Sequence, residues 1–293
     1  MASRSTWLLR LSLCGLTPLG AVVGTRASVR RATVPVCTAA HPLPSSDEIS
    51  FFTLDMCPYA QRVWILLEEL ELPYVRRTVE LRGDAEQMEW YKREVNPRGK
   101  VPALFDPATE LTVYESLIVN EYLCEQHCDH ARSSIMPSDA VTRARIRLWN
   151  DHLDSQLAPA HFTLLMNKEG DALTTKTQAL HEALQVYEAS LSGTGRISGG
   201  AKSTAFEYGP FLCGAHFTLA DIAALPFFER MIFSLRKYCD FDPLEKFPHT
   251  AAWWELASSR PSFLVTKRDE QALEQLYDKF LAVDYTFGGL AKK

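Results

Sequence analysis

The sequence predicts an α/β domain followed by an all-α domain, and three observations carry that reading. Residues 49–125 alternate short β-rich runs with amphipathic helices in the order βαβ, ββα. Beyond residue 138 the apolar residues recur almost everywhere at helical spacing. Residues 129–138 between them are polar and carry a proline, which reads as a linker. The predicted organisation is therefore a tail or targeting presequence over 1–46, an α/β domain over 47–128, the linker, and a helical domain over 139–293.

Residues 49–54, Ile-Ser-Phe-Phe-Thr-Leu, are a short apolar run suited to a buried strand. The helix after it places Val63, Leu66, Leu67 and Leu70 on one face, and Pro73 stops it. Residues 74–81 return as a second strand, with Val75, Val79 and Leu81 set among charges. A polar helix over 85–93 leads to the turn Asn96-Pro97-Arg98-Gly99. Two β-rich segments, 101–105 and 111–114, form a hairpin around Asp106-Pro107-Ala108-Thr109, and a helix over 116–127 closes the unit. This order of elements is that of a thioredoxin-like fold.

In the helical region Ile146, Trp149, Leu153 and Leu157 share one face, and Leu180, Leu184, Tyr187 and Leu191 another. Thr218-Leu219-Ala220-Asp221 reads as a capping box opening a helix with Leu225, Phe228, Ile232 and Leu235 inward. Pro226 is expected to kink that helix near its start. The glycine-rich residues 192–209 approach a phosphate-binding loop, but Ala201 separates glycine from Lys202 and no strand leads in, so a surface loop is expected.

Charge is uneven along the chain. Residues 1–46 hold Arg4, Arg10, Arg26, Arg30 and Arg31 and no acidic residue. The remaining 26 basic side chains face 36 acidic ones. A net charge of about −10 on that body repels nucleic acid and anionic membrane, and neither is expected as a partner. The Arg- and Ser-rich start, with an apolar run broken by Arg10 and Pro18, fits a plastid or mitochondrial transit peptide, or a secretory signal joined to a transit peptide. Without such an address the chain would be cytoplasmic. Seven cysteines (14, 37, 57, 124, 128, 213, 239) form no regular framework, and the five beyond the first 46 residues are odd in number, which argues against a disulfide-stapled secreted protein. Cys124 and Cys128, with His127 and His130, lack a second ligand cluster, and no metal is expected.

Met56-Cys57-Pro58-Tyr59 sits where a strand turns into a helix. Proline suits the first helical position because its φ is already helical and its missing N–H costs nothing there. Cys57 then becomes the cap residue, its sulfur facing free N–H groups at the positive end of the helix dipole, where a thiolate is favoured. Position 60 is alanine, so no Cys-x-x-Cys pair exists and the thiolate needs an external thiol to resolve it. An inward-pointing Asp55 would oppose this by raising the thiol pKa.

Residues 49–125 resemble the N-terminal domain of a glutathione transferase, and Cys57-Pro58-Tyr59-Ala60-Gln61-Arg62 resembles the omega class. Asn96-Pro97-Arg98-Gly99-Lys100-Val101-Pro102 is similar to the family's turn before a cis-proline. The resemblance implies that Pro102 is cis, that the Val101 backbone pairs with the cysteinyl part of glutathione, and that Glu115 and Ser116 hold its γ-glutamyl end. It extends through Phe217-Thr218-Leu219-Ala220-Asp221 and Pro226-Phe227-Phe228-Glu229-Arg230 to about residue 280. Where the omega class places a lysine for the glycyl carboxylate, this chain has Arg82-Gly83-Asp84, so Arg82 and Lys100 are both candidates. Tyr59 and Trp149 are candidates for an acceptor pocket.

The resemblance implies a thiol transferase or dehydroascorbate reductase that uses glutathione as co-substrate on small oxidised or electrophilic molecules, as a monomer or homodimer. Alternatives are a glutathione-binding carrier of the same fold, a chloride intracellular channel-like protein, and conventional glutathione conjugation. Arg62, Glu68 and Glu69 make the channel reading expensive, because they would have to enter a membrane.

Overall fold

The computed structural model describes residues 33–35, 47–81, 83–128, 134–166, 172–195, 197 and 209–282. Most of residues 1–46, together with Arg82, residues 129–133 (His130 included) and most of the 192–209 loop, lie outside the described residues.

Among the described residues five strands form one sheet, in the order β1-β3-β2-β4-β5. Strand β2 (Ile49–Thr53) is buried along its whole length, as its apolar run requires. It runs parallel to β3 (Tyr74–Thr78), pairing Ile49 with Tyr74, and antiparallel to β4 (Ala103–Asp106), pairing Phe51 with Leu104. Strand β5 (Leu111–Tyr114) pairs antiparallel with β4, completing the hairpin. The short β1 (Thr33–Pro35) lies within the segment read as tail or presequence and pairs with the outer edge of β3.

Side chains alternate across β2 and so assign the layers. Ile49 and Phe51 join the core beneath α1 (Pro58–Glu69) and α3 (Ser116–His127). Phe52 turns the other way, onto Tyr91 and Val95 at the end of α2 (Ala85–Glu94). The strands are shorter than the sequence reading: β3 stops at Thr78, though the Val79 N–H still reaches the Thr53 carbonyl at 2.8 Å, and β4 begins at Ala103. Helix α1 ends at Glu69, and Glu71 then adopts a positive φ of 53° before Pro73.

In the second region every regular element longer than an isolated bridge is a helix, among the described residues. Helix α4 (Ala140–His152) passes through one π-helical turn, Leu153–Leu157, into α5 (Ala158–Met166), followed by α6 (Ala172–Leu191) and α7 (Leu219–Cys239). Helices α8 (Pro248–Ser258), α9 (Pro261–Thr266) and α10 (Glu270–Ala282) close it. The predicted face of Ile146, Trp149, Leu153 and Leu157 is buried. The capping box forms at Thr218, and Asp221 also accepts from Leu212 N–H (2.9 Å) and Trp253 Nε1 (2.8 Å). Helix α7 runs as a single helix across Pro226. It packs on α1, and one continuous core joins the two regions.

Candidate functional site

Strand β2 leads through Leu54-Asp55-Met56 to Cys57, whose N–H returns to the Leu54 carbonyl at 2.9 Å. Cys57 caps α1 in extended backbone conformation with Pro58 at the first helical position. Its half-buried Sγ lies 3.9 Å from the Val101 carbonyl across the cleft. Burial is the largest influence on this thiol and pushes it above its ordinary value. The Ala60 N–H, the Arg230 guanidinium, the Tyr59 N–H and the Arg62 guanidinium all pull it down. Burial thus opposes the helix terminus and the two guanidinium groups, which favour a thiolate. The Asp55 carboxylate turns to Arg76, 2.8 Å away.

The facing wall comes from the β4–β5 side. The Val101–Pro102 peptide is cis, and the Lys100 carbonyl before it accepts from Tyr91 Oη (2.8 Å) and Asn96 Nδ2 (2.7 Å). The Lys100 side chain itself is exposed. Glu115 caps α3 with φ 71° and ψ 114°, a conformation that costs a non-glycine residue on the order of 1–3 kcal/mol. Its exposed carboxylate is ion-paired with Arg98. Ser116 follows at the start of the helix, buried, where its hydroxyl and the free N–H groups around it suit a carboxylate.

Beneath this surface lies a layer of buried charge that the sequence reading did not assign. Arg62 is wholly buried on α1. Its Nη2 is 2.6 Å from Asp154 Oδ1, its Nη1 donates to Ser116 Oγ (3.3 Å), and its Nε donates to the Ala223 carbonyl (3.1 Å). Asp154 stands on the π-helical turn, a local widening of the helix often found at functional sites. The guanidinium also lies 5.0 Å from the Tyr59 ring centroid and 4.5 Å from that of Phe227. Arg230, on α7, donates to the Met56 carbonyl (3.1 Å), Gln61 Oε1 (2.7 Å) and the Pro226 carbonyl (2.8 Å), with Glu229 Oε2 at 3.3 Å. Gln61 Nε2 closes the group on Glu229 at 3.1 Å. The available signal was a charge on an apolar stripe: Arg62 sits one turn before Leu66, and Glu229-Arg230 interrupt the otherwise apolar residues 222–233.

Two family models match the chain: the N-terminal domain of glutathione S-transferase over residues 56–126, and its C-terminal domain over residues 153–261. The chain is 30% identical over 237 residues to glutathione S-transferase U28 of Arabidopsis thaliana, covering 79% of this chain and 92% of that one. The chain belongs to the glutathione S-transferase family. It is 24% identical over 226 residues to a probable cytosolic glutathione S-transferase DHAR1 of rice, Oryza sativa, covering 75% and 88% of the two chains. Among solved structures, glutathione transferase Omega 3C of Trametes versicolor superposes with a TM-score of 0.65 at 25% identity, over 81% of this chain and 92% of that one.

Within this glutathione S-transferase fold Cys57 faces the Val101 carbonyl beside cis Pro102, Tyr59 and Ser116 both meet the Arg62 guanidinium, and Glu115 caps α3 immediately before Ser116. Trp149 does not join them. It is buried in the helical core, with its ring 4.6 Å from that of Tyr187 and its Nε1 on the Leu212 carbonyl at 3.0 Å. Placing it at an acceptor pocket is therefore corrected to a packing role. Tyr59 is half-buried, edge-on to Phe227 at 5.2 Å. Arg82 lies outside the described residues. Among the described residues no three His, Cys, Asp or Glu side chains converge as a metal site, and no helix is long and apolar enough to cross a membrane.

Proposed function

We propose that this glutathione S-transferase is a thiol transferase in which Cys57 carries the glutathionyl group. The Cys57 thiolate attacks the glutathione sulfur of a mixed disulfide, and the substrate thiolate leaves and takes up a proton. A second glutathione then attacks the Cys57 disulfide, releasing oxidised glutathione and restoring the thiolate. Dehydroascorbate, reduced at the expense of two glutathiones, is the alternative acceptor. The observation that carries this reading is a single thiol at the start of α1, facing the Val101 carbonyl at 3.9 Å, with Ala60 where a resolving cysteine would stand. Glutathione would lie with its cysteinyl part along the Val101 backbone and its γ-glutamyl end between Glu115 and Ser116, with Lys100 or Arg82 toward its glycyl carboxylate. The arginine-rich, acid-free start of the chain supports import into a plastid or mitochondrion.

The upward push on the Cys57 thiol favours one second reading. In it the thiol stays protonated and donates a hydrogen bond to the sulfur of bound glutathione, which itself attacks an electrophile. Cys57→Ser separates the two. Thiol transfer from a glutathionylated substrate should vanish while glutathione binding persists, and undiminished transfer in that variant would sink the proposal.

A further inference from the structure

We propose that Arg230 is the positioning residue for Cys57: from α7 it holds the backbone entering α1 and supplies the cation that favours the thiolate. The proposal rests on the reading of Cys57 as nucleophile. Arg230 is almost wholly buried, and its Nη2 donates to the carbonyl of Met56, the residue immediately before Cys57. Its Nη1 is fixed by Gln61 Oε1 and the Pro226 carbonyl, so the guanidinium has little freedom to turn away. Its Nε is buried with no hydrogen-bond partner. Carbonyls surround the remaining polar atoms, and the nearest formal counter-charge is Glu229 at 3.3 Å.

The other charged and titratable groups around the thiol are accounted for. Arg62 on α1 is committed to Asp154 at 2.6 Å. Tyr91 of α2 is held neutral by burial. Asp55 is turned to Arg76, and Arg268 donates to the Asp55 carbonyl and, through its own N–H, to Glu229. Among the side-chain charges acting on Cys57, Arg230 pulls hardest toward the thiolate. Glu229 partly offsets that pull, so the two residues of the Glu229-Arg230 pair should move the thiol in opposite directions.

That opposition provides the test. The rate at which iodoacetamide alkylates Cys57 is followed against pH by peptide mass spectrometry, with thioether formed and iodide released. This readout needs no glutathione and is independent of whether transfer is the activity. Arg230→Gln should move the alkylation midpoint upward and slow the reaction at pH 7 by roughly threefold or more, while Arg230→Lys, which keeps the cation but not the forked contacts, should fall between that profile and the wild-type one. Glu229→Gln, which leaves the cation uncompensated, should move the midpoint downward. If Arg230→Gln does not fold, Glu229→Gln decides alone. An unchanged profile in Arg230→Gln, or an unchanged or upward-shifted profile in Glu229→Gln, overturns the proposal.

Discussion

Removing the carboxylate of Asp154 leaves a wholly buried guanidinium with only neutral partners, the Ser116 hydroxyl and the Ala223 carbonyl. Breaking a buried ion pair from one side costs about 3–5 kcal/mol, because the remaining charge is stranded away from water. Asp154 is itself 34% exposed, so water can partly replace it and the lower end of that range applies. Asp154→Ala should therefore cost about 3 kcal/mol, a fall in Tm of roughly 6–12 °C for a body of this size. The assay is thermal and urea denaturation of wild type, Asp154→Ala, Arg62→Met and the double variant. The double variant should be more stable than the sum of the single losses predicts, since it removes both halves of the pair. A loss below about 1 kcal/mol in Asp154→Ala, or strict additivity, would refute the idea that this pair anchors α1 to the π-helical turn.

Glu115→Gln removes the charge expected to meet an ammonium and should weaken glutathione binding about 10- to 100-fold by calorimetry, with little change in Tm. Trp149→Phe should lower Tm by about 2–4 °C through loss of the Leu212 hydrogen bond and leave the acceptor KM unchanged. A KM change without a Tm change would return Trp149 to the pocket. His161 is buried against Ser234 Oγ at 2.7 Å, and burial lowers its pKa to about 3. The unfolded chain protonates this histidine below about pH 6.5 while the native state does not, so stability falls with acidification at up to about 1.4 kcal/mol per pH unit. His161→Gln should flatten that decline between pH 6.5 and 4, as measured by urea melts across the range.

Most of the fold was legible because local patterns determine it. The buried run of β2, the helix opened by Pro58, the hairpin and the Thr218–Asp221 capping box each rest on a few neighbouring residues. The corner that seats Cys57 was legible for the same reason. What was not legible depends on partners far apart in sequence. Arg62 finds Asp154 across 92 positions and Arg230 finds Met56 across 174, and no spacing rule announces either. The direction of Asp55 was open until Arg76, on the neighbouring strand, fixed it. Trp149 was ambiguous because an aromatic on a helical stripe fits a core or a pocket equally well, and Tyr187 settles the matter. The balance of influences on the Cys57 thiol was only half legible, because a helix terminus can be read from sequence whereas the depth of burial around it cannot.

The central claim is that Cys57 carries glutathione as a mixed disulfide. Its most direct test is mass spectrometry of the purified protein after exposure to oxidised glutathione, with peptide mapping before and after added glutathione. One glutathionyl group on Cys57, removed by glutathione and absent from Cys57→Ser, is the predicted result. An unmodified Cys57, or an adduct confined to Cys124, Cys128, Cys213 or Cys239, would contradict it.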